Sequence, residues 1–83
     1  MSAIIKYPLG TEKSIRMMEA ENKLVFVVDR KATKKQIKEA IENQFSVTVV
    51  AVNTHNTMKG KRAIVTFSQE SPAIDLATKL GLM

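Results

Sequence analysis

The chain has 83 residues, with 13 Lys and Arg against 8 Asp and Glu, a net charge of +5 and no cysteine. That length gives one domain, residues 1–83, burying only about 60% of the surface its unfolded form exposes, and the lack of cysteine excludes a disulfide framework, a thiolate nucleophile and a Cys-based zinc site. At 45% hydrophobic and 25% charged the composition is globular, the N-terminal apolar run is too short for a signal peptide, and no stretch approaches the ~18 apolar residues of a membrane span.

The first apolar patch, Ala3-Ile4-Ile5, predicts a short strand or a clasp on a sheet edge, broken by Pro8 and Gly10. Thr11 is placed to cap a helix over 11–21, with Glu12 in its first turn, Ile15 and Met18 on one face and Asn22 as its stop. Lys23 to Asp29 carries the run Leu24-Val25-Phe26-Val27-Val28 and reads as a central strand covered on both faces. Thr33 and Gln36 form a capping box ahead of a helix over 33–44, whose Ile37, Ala40, Ile41 and Phe45 repeat at core-facing spacing.

Ser46 to Thr54 is β-branched at most positions, with Val47, Val49 and Ala51 on one face and Thr48, Val50 and Val52 on the other. A polar loop, His55 to Gly60, then joins it to Lys61–Ser68, where Ala63, Val65 and Phe67 alternate with Arg62, Ile64 and Thr66. Ser71 as N-cap and Pro72 at the first helical position open a helix over 71–80, with Ile74, Ala77 and Leu80 inward and Gly81 as its end. The pattern predicts an α+β fold, a mainly antiparallel sheet with helices packed on it, of the ferredoxin-like or split βαβ type. Ile37, Ile41, Phe26, Val49, Val65 and Leu76 are the expected core.

Catalysis is not indicated. His55 is the one histidine, no second histidine or cysteine can share a metal with it, and Gly10, Gly60 and Gly81 are too isolated to form a phosphate-binding loop. No cofactor is expected. Charge is more informative: Arg30, Lys31, Lys34, Lys35 and Lys38 lead into and over the start of the strongest helix, where lysines oppose the helix dipole unless an anion is bound. Lys59, Lys61 and Arg62 make a second basic group beside Asn53 and Thr54. Lys13, Lys31, Lys34, Lys35, Lys59, Lys61 and Arg62 are the expected phosphate contacts, with Thr11, Asn53 and Thr54 nearer sugars or base edges. Most of the few aromatics fit core positions, so any RNA is expected to be folded and held by backbone and shape.

With those residues in place the sequence resembles a known family, large-subunit ribosomal protein number twenty-three in its archaeal form. The resemblance runs through Tyr7-Pro8-Leu9-Gly10-Thr11-Glu12-Lys13, Asn22 to Asp29, Ala32 to Glu42 and Val47 to Thr54, and Lys61-Arg62-Ala63-Ile64-Val65-Thr66-Phe67 resembles the family's signature segment. It implies a cytoplasmic, non-enzymatic ribosomal protein that binds large-subunit rRNA at the rim of the polypeptide exit tunnel. Neighbouring large-subunit proteins and nascent-chain factors such as the signal recognition particle are the implied partners, without membrane insertion. The bacterial form has a longer hairpin and the eukaryotic form a long basic N-terminal extension, so both departures point to the archaeal form. Glu19, Glu21 and Glu70, away from the basic clusters, are the expected protein-docking surface. Two other readings fit the same lysines: a free-standing α+β regulatory or ligand-binding module with an incidental basic patch, and a small DNA-associated protein.

Overall fold

The computed structural model describes residues 4–58 and 60–82. Its elements run β1 (Ile5–Pro8), α1 (Glu12–Glu21), β2 (Lys23–Val28), α2 (Lys34–Phe45), β3 (Val49–Thr57), β4 (Gly60–Phe67) and α3 (Ala73–Lys79). The strands form one sheet in the order β1-β2-β4-β3, every neighbouring pair antiparallel. β4 lies between β2 and β3, which therefore run parallel and are joined by α2 as a split βαβ unit.

Period-two alternation sends Leu24, Phe26 and Val28 of β2, with Ala63, Val65 and Phe67 of β4, into one core with Ile37 and Ile41 of α2. All six expected core residues are buried. The Phe45 ring stacks on Phe26 with centroids 6.2 Å apart, which seats the end of α2 on the sheet. On the opposite face Val25 is also buried, while Val27 and Ile64 are half-buried.

Four expectations change. Strand β1 starts at Ile5 and includes Pro8, whose missing N–H is tolerated at an edge; Ala3 lies outside the described residues. Strand pairing continues through His55↔Arg62, Asn56↔Lys61 and Thr57↔Gly60, so the expected polar loop from His55 is strand up to Thr57. Short polar side chains resemble a loop in sequence, but β4 is present to pair with their backbone. Gly60 starts β4 at φ +141°, a conformation that L side chains rarely adopt.

Val49 pairs with Phe67 and Ala51 with Thr66, leaving Val50 as the extra residue of a bulge. The alternation therefore flips: Val49 is buried, Ala51 is exposed and Val52 packs against the core. In α3 the N-cap is Pro72, and Ser71 instead accepts a hydrogen bond from the Thr48 amide at 3.0 Å. Ala73, Leu76 and Ala77 face inward, and Ile74 is 46% exposed. Gly81, at φ +77°, closes the helix as expected, with Leu82 N donating to Ala77 O at 2.9 Å.

Candidate nucleic-acid interface

The basic surface begins at the turn after β2. The Lys31 amide donates to Asp29 Oδ1 at 2.9 Å and the Ala32 amide to the Asp29 carbonyl at 3.0 Å, a side-chain-stabilised turn with Arg30 and Lys31 exposed. The capping box then starts α2: Gln36 N donates to Thr33 Oγ1 at 3.2 Å, and Thr33 N to Gln36 Oε1 at 3.0 Å. The first turn of α2 has no acidic residue, so exposed Lys34 and Lys35 meet the positive end of the dipole uncompensated.

Two long-range hydrogen bonds join this segment to the hairpin. Arg30 Nη2 donates to the Met58 carbonyl at 3.2 Å, and Lys61 Nζ donates to the Ala32 carbonyl at 2.7 Å. The two charge clusters, separate in sequence, thus become one surface at the hairpin end of the sheet. Lys61 is half-buried and already holds a carbonyl, so it serves as a strut as well as a charge. Lys59 lies outside the described residues.

Arg62 stands on the opposite sheet face from Lys61, so positive charge continues around the hairpin onto the face away from the core. There it borders a recess of about 290 Å³ that Thr11 and Lys13 of the α1 entrance also line. Asn53 shares this face through its pairing with Ile64, whereas Thr54 pairs with Ala63 and points to the core side; these two neighbours do not act on one surface. Thr11 caps α1, its Oγ1 accepting from Ser14 N at 3.2 Å. Tyr7, on edge strand β1, is 54% exposed.

The expected docking residues lie at the other end of the sheet. Glu19 and Glu21 line a groove with Met18, Phe67 and exposed Ile74, and Glu21 pairs with Lys23 at 3.7 Å. Glu70 lines a separate groove beside Asp75. Strand β2 thus leads from an acidic end near Asn22 to a basic end near Arg30, about 20 Å apart for a strand of its length. What sequence reasoning missed is the joint itself, for nothing local in Ala32 or Met58 marks their carbonyls as acceptors for Lys61 and Arg30.

Comparison with known proteins concerns the sequence as a whole. The family described as Ribosomal protein L23 matches residues 3–74. A large ribosomal subunit protein uL23 of Halobacterium salinarum is 46% identical over 83 residues, covering 99% of each chain. The protein of that name from Haloarcula marismortui is 44% identical over 95% of this chain and 94% of its own. That from Methanococcus vannielii is 46% identical over 95% and 93%.

Proposed function

The chain belongs to the ribosomal protein L23 family, and on that premise we propose that it is a non-enzymatic structural constituent of the large subunit of the cytoplasmic ribosome that binds large-subunit rRNA through its hairpin-end basic surface. The observation carrying the RNA-binding part is the pair of hydrogen bonds, Arg30 to Met58 O and Lys61 to Ala32 O, that fuses two lysine clusters into one surface. Phosphates along a folded RNA suit it: exposed lysines supply charge, and the exposed entrance of α2 adds the favourable end of a helix dipole. Neighbouring large-subunit proteins complete the setting, with the rim of the exit tunnel as its place.

The acidic end, about a strand's length away, is then free of RNA and available to a nascent-chain factor such as the signal recognition particle. Opposite charge at the two ends supports this division of labour, since Glu19 and Glu21 repel phosphate but steer a basic partner. Binding is tested by comparing large-subunit rRNA fragments, an unrelated structured RNA and duplex DNA at two salt concentrations. Tightest binding to one rRNA fragment at both salts is expected; equal affinity for all three would leave only non-specific polyanion binding, and preference for the duplex would favour a DNA-associated role.

A further inference from the structure

The recess on the sheet face away from the core has an apolar floor and a cationic rim. Leu9, Met17, Val25 and Ile64 line the floor. Lys13 and Arg62 stand at the rim, and neither side chain has a hydrogen-bond or ion-pair partner among the described residues. His55, directly across the ladder from Arg62, also lines it. An apolar slot beside two uncompensated cations matches a ligand made of a flat ring joined to an anion. At about 290 Å³ it lies just below the usual range for ligand pockets, about 300–1,000 Å³, which suits one planar ring system and not a dinucleotide.

Resting on the RNA-binding reading above, we infer that this recess receives one unpaired nucleotide of the bound RNA. The base lies on Met17, Val25 and Ile64, its phosphate sits between Lys13 and Arg62, and the exposed His55 imidazole offers an edge or a stacking face. Arg62 makes the recess continuous with the surface around the hairpin, so a strand following the lysines can place one base here. Sheets that read single strands stack bases on exposed aromatics; here aliphatic side chains form the floor, so the recess selects a base by shape and by its linked charge.

The test uses the full chain carrying 13C-methyl methionine and isoleucine, titrated at low salt with single-stranded penta-adenylate. Inorganic phosphate and an acidic peptide with one leucine are separate arms, and rRNA-fragment binding is measured on the same samples. Penta-adenylate should shift the Met17 and Ile64 methyl resonances by its ring current, and phosphate should not. Ile64→Glu should weaken penta-adenylate binding about tenfold, because it removes part of the apolar floor and sets a carboxylate against the bound phosphate, with the Ile37 and Ile41 methyls reporting that the core is intact. Arg62→Gln, on an exposed side chain, should lower the salt slope by about one. Unmoved Met17 and Ile64 methyls, or equal binding by both variants, overturn the inference. Shifts caused by the peptide and not by penta-adenylate overturn it too, reassigning the recess to a protein. Retained rRNA binding in those cases leaves the broader reading standing, whereas an occupied recess without rRNA binding refutes only the broader one.

Discussion

The side-chain oxygen of Asn22 accepts a hydrogen bond from the Ala73 amide at 2.6 Å, so the residue that ends α1 also caps α3, 51 positions later. The same side chain donates through Nδ2 to the Phe67 and Ser68 carbonyls, both at 3.0 Å. Its backbone sits at φ 56°, where asparagine is among the better-tolerated residues, and its own amide closes α1 onto Met17 and Met18 carbonyls. One residue therefore locks α1, the end of β4 and the start of α3 together at the acidic end of the sheet.

Removing that lock tests its weight. Asn22→Ala loses the cap and leaves polar groups unpaired, so it should cost about 2–4 kcal/mol. Asn22→Gly keeps the backbone conformation but not the side chain, and should recover part of that loss. Urea midpoints of the three proteins check this; equal midpoints for asparagine and alanine would show that the side-chain bonds contribute nothing.

Burial separates two isoleucines that the sequence treats alike. Ile41 is fully buried and Ile74 is 46% exposed. Ile41→Ala should cost about 2–5 kcal/mol through lost transfer energy and a residual cavity. Ile74→Ser should stay within about 0.5 kcal/mol of the parent. The check is thermal unfolding; a comparable loss at both sites would contradict the assigned face of α3.

How much was legible beforehand depended on how local the cause was. The Thr33–Gln36 capping box and the Ile37–Ile41 stripe need only neighbours within one or two turns, and both formed where expected. The β3 register depends on the bulge at Val50, and the α3 start depends on Asn22, a partner far away in sequence. The inward set of α3 thus became Ala73, Leu76 and Ala77, with Ile74 turned outward. For the interface, each lysine cluster stood out by composition, but their union required Lys61 to reach Ala32 and Arg30 to reach Met58. The recess was invisible, because Lys13 and Arg62 meet only when α1 and β4 are placed.

Lys34 and Lys35 should show opposite effects on stability and on binding. With no acidic residue in the first turn of α2, both lysines face an unfavourable dipole. Replacing each with glutamine should raise stability by a few tenths of a kcal/mol, ~0.3 or more per site, while weakening rRNA binding. Paired denaturation and filter-binding curves check the signs; a loss of stability would mean the lysines are held by contacts within the fold.

Charge reversal at the other end should leave RNA alone. Ribosomes carrying Glu19→Lys with Glu21→Lys should bind the signal recognition particle with a slower association rate and an altered salt dependence, with a smaller change in dissociation. Unchanged kinetics would remove this patch as a docking surface without touching the RNA-binding reading. Glu70, in a separate groove, is reversed on its own to test whether the docking surface extends to it.

The hairpin-end basic surface is tested most directly by the salt dependence of rRNA-fragment binding in a Lys31→Gln, Lys34→Gln, Lys35→Gln variant, with Lys61 left in place to hold the Ala32 carbonyl. Each lost phosphate contact should lower the slope of log affinity against log salt by about 1, so the triple variant should fall by about 3 and bind more weakly at every salt concentration. A variant that keeps the parent slope and affinity would contradict the assignment of rRNA to this surface.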